Sequence, residues 1–283
     1  MPSFPILLAR MVALLPLPLV HAAGCALGWA MYGLSPTYRR HLRENLEAAG
    51  YRDGATRRAA IAEAGKLLAE LPAIWLRPRA RVTALVRRIE GLELVEAARA
   101  AGQPIVFLTP HLGCFEITAQ VAAERFPITV LYRPPRLGWL EPLIERGRGG
   151  DNVRLARAGF TGVRELLAAL KRGETVGILP DQVPGEGEGE WAEFFGRPAY
   201  TMTLAQRLAA RPGVVCLLAW GERLPRGAGY VIHVRPMPPA KPGESATRHL
   251  NRALEALIRE CPAQYLWGYN RYKVPQGAAA PPR

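Results

Sequence analysis

Apolar and polar positions follow two periods along this chain, and the periods take turns. From residue 55 to 76 the apolar positions Ala60, Ile61, Leu67, Leu68, Leu71, Ile74 and Trp75 recur at helical spacing. Short continuous apolar runs bounded by turn residues follow at 105–108, 128–132, 175–179, 214–220 and 230–234, and these predict buried strands. Between and after them, 92–101, 117–125, 137–145, 161–171, 203–210 and 246–260 return to helical spacing. Strands that alternate with helices predict an α/β fold with a mixed, largely parallel central sheet flanked by helices on both faces. Residues 185–190, acidic and glycine-rich, predict a flexible loop. They lack the Lys-Ser/Thr of a phosphate-binding loop and do not open a helix.

The amino-terminal pattern differs from both periods. Residues 11–34 contain no Asp, Glu, Lys or Arg, a run of roughly 24 residues against the ~20 that a membrane-spanning helix needs. Pro16 and Pro18 lie near its start, Arg10 precedes it, and Arg39, Arg40, His41 and Arg43 follow it. By the positive-inside rule the rest of the chain faces the cytoplasm. The expectation is an uncleaved membrane-anchor helix within residues 1–36 and a cytoplasmic domain at 37–283. A cleaved signal has a shorter apolar core and a polar mature start. A helix lying in the membrane surface is the other reading, because the prolines and His21 interrupt a clean span.

The chain has a formal net charge of +13, and its lysines are Lys66, Lys171, Lys241 and Lys273, so arginine carries most of the positive charge. Such a balance calls for anionic partners, and arginine suits bidentate phosphate binding. With 49% hydrophobic residues the chain can bury a sizeable core, which excludes intrinsic disorder. Cys25, Cys114, Cys216 and Cys261 lie far apart, neither a zinc pattern nor a disulfide framework. A nucleic-acid-binding role has only the charge in its favour, with no recognisable binding motif and an anchor against it. A serine hydrolase is disfavoured by the lack of G-x-S-x-G.

The candidate chemistry starts where the first buried strand ends, at Thr109-Pro110-His111-Leu112-Gly113-Cys114-Phe115-Glu116. A base and an acid there lie where open α/β sheets build ligand sites. An imidazole accepts a proton at neutral pH and a nearby carboxylate can orient it. With His111 in the turn and Glu116 beginning the next helix, backbone N–H groups around Gly113 and Cys114 could serve a developing oxyanion. Cys114 itself reads as a core cysteine, not a nucleophile. Further charged groups follow at strand ends and turns: Tyr132-Arg133-Pro134, Arg146-Gly147-Arg148 and Leu179-Pro180-Asp181-Gln182.

Together with Phe195-Gly196-Arg197-Pro198, Pro262-Ala263-Gln264-Tyr265-Leu266-Trp267 and Asn270-Arg271-Tyr272-Lys273, these motifs resemble the lipid A biosynthesis lauroyl/myristoyl acyltransferase family over nearly the whole chain. The H-x4-D/E pair is shared with the wider glycerolipid acyltransferase superfamily. The resemblance implies a glycerolipid-acyltransferase-like fold and a single-span enzyme on the cytoplasmic face of the inner membrane. It implies transfer of a fatty acyl chain from acyl carrier protein to a hydroxyl of a phosphorylated glycolipid, the lipid A precursor. His111 would be the catalytic base and Glu116 its partner carboxylate, with Arg133, Arg146, Arg148, Asp181 and Gln182 organising substrate. No metal or cofactor is implied, and nucleic acid is not an expected partner. The nearest alternative keeps the chemistry and changes the acceptor to another glycolipid, an aminolipid or a lysophospholipid. More distant is a basic, membrane-tethered binding protein.

Overall fold

In the computed structural model, which describes residues 4–135, 138 and 141–281, the long amino-terminal apolar run is not one helix. Pro16 has no N–H to continue the ladder, so α1 (Phe4–Leu14) stops and α2 (Leu17–Leu34) starts afresh, with Pro18 tolerated in its first turn. Ser35 then caps α3 (Pro36–Ala48), its hydroxyl accepting from the Tyr38 N–H at 3.3 Å. Asp53 caps α4 (Gly54–Leu76) by accepting from the Thr56 N–H at 2.7 Å.

α2 is docked on the rest of the chain. It runs antiparallel along α4, His21 meeting Glu70 at one end and Gly28 meeting Ile61 at the other. A Cβ added to Gly28 would sit 2.1 Å from the Ile61 carbonyl oxygen, and one on Gly65 would sit 2.0 Å from that of Gly24. The two backbones therefore touch, which only glycine allows.

Beyond a short α5 (Arg79–Thr83), β1 (Val86–Glu90), α6 (Leu92–Ala100), β2 (Ile105–Leu108), α7 (Phe115–Ala123), β3 (Ile128–Tyr132), α8 (Glu141–Arg148), β4 (Val153–Arg157), α9 (Phe160–Lys171) and β5 (Thr175–Ile178) alternate. The hairpin β6 (Gly189–Phe194) and β7 (Arg197–Met202) interrupts the alternation, followed by α10 (Leu204–Ala209), β8 (Val215–Arg223), β9 (Tyr230–Pro236) and α11 (Ala246–Glu260). The main sheet has seven strands in the order β1-β9-β8-β2-β5-β3-β4, parallel except between β8 and β9. The mixed, largely parallel α/β architecture read from the pattern is the one present.

Along β2 the side chains alternate between two cores. Ile105 and Phe107 face α6 and α7, whereas Val106 and Leu108 face α9, α10 and α11. Two features depart from expectation. Strands β1 (VRRIE) and β4 (VRLAR) carry no continuous apolar run because they are the two edges of the sheet, where charge guards unpaired backbone. The end of the expected 185–190 loop is already β6. Its turn has Phe195 at φ +46° and Gly196 at φ +74°, a left-handed pair without the Asn-Gly signature that would have announced it. Of the expected helix at 137–145, residues 137, 139 and 140 lie outside the described residues, and 141–145 form the start of α8.

Candidate active site

The carboxyl ends of neighbouring parallel strands β2 and β5 bring His111 and Asp181 together, although 70 positions separate them in sequence. His111 Nδ1 lies 2.8 Å from Asp181 Oδ1, and the backbone N–H of His111 donates to Oδ2 at 2.9 Å. An ionised carboxylate only accepts, so Nδ1 must carry the proton in this contact. In the neutral ring Nε2 is then the free base. The Gln182 amide nitrogen lies 3.1 Å from Nε2 and can donate to it. Burial pushes the Asp181 carboxyl up, but the facing imidazolium charge and the ring and backbone hydrogen bonds of His111 hold it below its ordinary value.

Glu116 has different company. In the first turn of α7 it accepts from Arg148 Nε at 3.0 and 2.9 Å on its two oxygens and from Arg148 Nη2, and Trp75 Nε1 donates to it at 3.1 Å. The direct His111–Glu116 pairing expected from the five-residue spacing is thus replaced by two pairs, His111–Asp181 and Glu116–Arg148. The turn explains the change. His111 lies in the bend three residues past β2 and Glu116 in the first turn of α7, so their side chains meet Asp181, three residues past β5, and Arg148 on α8 instead of each other. Gly147 makes the second pair possible: a Cβ there would lie 2.3 Å from Trp75 Cβ, so its absence lets α8 lie on α4 with Arg148 over the indole ring, 5.5 Å from its centre.

The oxyanion donors expected at Gly113 and Cys114 are already engaged. Gly113 N–H donates to the Gln264 carbonyl at 3.0 Å and Cys114 N–H to that of Gly221 at 2.7 Å. Gly113 adopts φ +60°, and a Cβ on it would be 2.0 Å from the Gly221 oxygen. Cys114 is fully buried, and burial with the nearby Glu70 charge pushes its thiol up, as befits a core residue.

Sequence reasoning missed what holds this turn. The Leu266 N–H donates to the His111 carbonyl at 3.1 Å, and Leu112 bridges to Tyr265. The Pro262–Trp267 motif is therefore a clamp on the histidine turn. Gln264 also pairs with the Arg223 backbone through both ends of its amide, at 2.9 and 3.0 Å. On the other side, the Arg223 guanidinium donates to the Gly113 carbonyl at 2.7 Å and to Glu70 at 2.7–3.0 Å. Glu70 also accepts from the Tyr230 hydroxyl at 2.9 Å, and His21 Nε2 of α2 lies 3.2 Å from it. Burial alone would raise the Glu70 carboxyl; Arg223 and His21 bring it down to about 2. A signal for Glu70 was present: it interrupts the apolar stripe of α4 three positions after Leu67 and four before Ile74.

His111, Glu116, Arg133, Arg148 and Gln182 line one cavity of about 350 Å³. Its walls are otherwise mostly apolar and run between the sheet and α7, with Phe107, Ala119, Ala122, Phe126, Ile128 and Val130 among them. Arg133 is exposed on this cavity, whereas Arg146 is exposed on α8 and does not line it. The arrangement combines a base of fixed tautomer, a carboxylate-held cation and an apolar channel that leads away from both. It can deprotonate a nucleophile beside a bound hydrocarbon chain.

Comparison with known proteins agrees with this chemistry. The model of a family described as bacterial lipid A biosynthesis acyltransferase matches residues 2–274. The lipid A biosynthesis lauroyltransferase of Escherichia coli (strain K12) is 26% identical over 94% of this chain and 90% of its own length. The palmitoleoyltransferase of the same organism is 28% identical over 74% of this chain and 69% of its own. A lipid A biosynthesis acyltransferase of Haemophilus influenzae is 23% identical over 94% and 88%.

Proposed function

Because the chain belongs to the bacterial lipid A biosynthesis acyltransferase family, we propose that His111 Nε2 is the general base of an acyl transfer from acyl carrier protein to a hydroxyl of a phosphorylated lipid A precursor. The observation that carries this reading is the His111–Asp181 contact of 2.8 Å, which leaves Nε2 as the basic nitrogen on a largely apolar cavity. The acyl chain of the thioester lies in that cavity, with its carbonyl near His111. Nε2 takes the hydroxyl proton as the oxygen attacks the carbonyl carbon, and Asp181 stabilises the imidazolium formed. Arg148, held by Glu116, faces the charge that develops on the carbonyl oxygen. Collapse of the tetrahedral intermediate breaks the C–S bond, and the leaving thiolate recovers the proton from Nε2. Atoms balance without a cofactor.

In this reading Glu116 acts through Arg148 and Asp181 acts through His111. Arg133, exposed at the cavity, is suited to a phosphate of the acceptor. The enzyme works at the inner membrane with its catalytic domain on the cytoplasmic face, where the charge of +13 favours an acidic carrier protein and anionic lipid. The test is mass spectrometry of products after purified protein is mixed with acyl carrier protein thioesters and a tetra-acylated lipid A precursor. A product heavier by one acyl group is expected, and it disappears with His111→Ala. Full transfer by that variant, or transfer to lysophospholipid and not to the lipid A precursor, would refute the assignment.

A further inference from the structure

α2 is built inside out relative to a helix on a water-facing surface. Its one ionisable side chain with a buried charge partner, His21, points inward to Glu70, and every exposed residue along it is apolar or glycine. Leu19, Leu27, Trp29 and Leu34 are the largest, between 41% and 84% exposed. On α1, Leu7, Leu8, Met11 and Leu14 are also at least half exposed each, with the exposed Arg10 among them. A soluble surface helix shows the opposite polarity. An exposed apolar surface of this size has to be covered.

Cations bracket the patch. At the α1–α2 break, Arg77 donates to the carbonyls of Ala13, at 2.7 Å, and Leu15. At the far end of α2, Arg39 donates to the carbonyls of Tyr32 and Gly33 at 3.4 Å, and Trp29 packs edge-on to Tyr32. Arginines and amphipathic rings at the margins of an apolar face match the headgroup region of an anionic lipid leaflet.

A span of the bilayer conflicts with the way α2 is docked. The 18 residues of α2 make a rod of about 27 Å, close to the ~30 Å of hydrocarbon. However, its inner face lies against α4 from His21 to Gly28, where α4 carries the Glu63–Lys66 ion pair and Glu70. The turn after β8 also reaches it, since a Cβ on Gly227 would lie 2.6 Å from Pro18 Cα. A helix crossing in this pose would carry these charges and Arg223 into hydrocarbon, where polar groups need water or a closed bundle.

We infer that α1 and α2, still docked on α4, lie in the cytoplasm-facing leaflet as an interfacial ledge, in place of the single span that hydropathy predicts. Both the amino terminus and the catalytic domain are then on the same side of the membrane. The inference rests on the proposal that the acceptor is a membrane lipid, but its readout is position, not turnover.

The test places an epitope tag at the amino terminus of the full chain, in the bacterial inner membrane. Added protease should leave the tag intact in spheroplasts and remove it in inverted vesicles. Removal in spheroplasts would overturn the ledge and restore the span, and recovery of the whole protein in the soluble fraction would overturn membrane contact altogether. In a second arm, purified protein floats with phosphatidylglycerol-containing vesicles. Leu19→Glu with Leu27→Glu should lower the bound fraction by about tenfold or more while thermal melting and acyl transfer to detergent-dispersed acceptor are unchanged. Undiminished binding by this variant would refute the ledge even if acyl transfer is confirmed. Intact flotation with no transfer would sink the proposed activity alone.

Discussion

At His111 the proton sits where the carboxylate of Asp181, three residues past β5, requires it. Asp181→Asn keeps the shape but lets the side chain donate as well as accept, so the ring can hold its proton on the wrong nitrogen. The expected result is a fall in kcat of about two to four orders of magnitude with KM for the carrier thioester little changed, measured by steady-state transfer. Glu116→Gln should act differently, because it loosens Arg148 rather than His111. Its loss should be partly mirrored by Arg148→Lys, with no further loss in the double variant, and a double-mutant cycle reads this coupling directly. Acid sensitivity follows from depressed carboxyls. Glu70 titrates at about 2 in the fold against an ordinary 4.5. Its ionised form therefore contributes stability that is complete above 4.5 and is lost as pH falls through about 2. Melting temperature measured down this range should fall steeply for the parent and less for Glu70→Gln, which starts lower. The reverse slope would mean that Glu70 is not held ionised by Arg223.

Among elements, the packing of α8 on α4 depends on a missing side chain. Gly147→Ala would put a methyl 2.3 Å from Trp75 Cβ, so α8 must shift and take Arg148 with it. We expect an overpacking cost of about 1–3 kcal/mol together with a drop in kcat, separable by comparing denaturant melts with turnover. The buried Arg223–Glu70 pair makes a sharper demand. Arg223→Met strands a carboxylate and should cost about 3–5 kcal/mol, whereas Arg223→Met with Glu70→Leu should recover much of that loss. Most elements were legible because their apolar runs are bounded cleanly: β2, β3 and α11 fall where the pattern puts them. The edge strands and the Phe195-Gly196 hairpin were not, since edge strands need charge and the turn lacks its usual residues. The site was half legible. His111, Glu116, Arg148, Asp181 and Gln182 were all singled out, but spacing in sequence paired His111 with the nearer acid. The β2–β5 register, which only the folded sheet supplies, pairs it with the farther one.

For the whole molecule, the charge of +13 makes the proposed docking of an acidic carrier protein sensitive to salt. Raising ionic strength from about 0.05 to 0.5 M should raise KM for the carrier thioester several-fold and leave kcat nearly unchanged, and a kcat effect of the same size would point to damage at the site instead. The fold also ties its two ends to one turn: α2 reaches Gly113 through Glu70 and Arg223, and the Pro262–Trp267 clamp closes on His111 from the other side. This gives the chain an order of assembly. On the inferred ledge, a protein made from its amino terminus presents α1 and α2 to the membrane long before residue 262 is synthesised. Until those last residues arrive, His111 lacks the strand-like support of Leu266, and a chain stopped just before Pro262 should reach the membrane yet transfer no acyl group. On the inferred membrane contact, delivery to the lipid surface would come before competence, so a nascent chain would be in place before it can react.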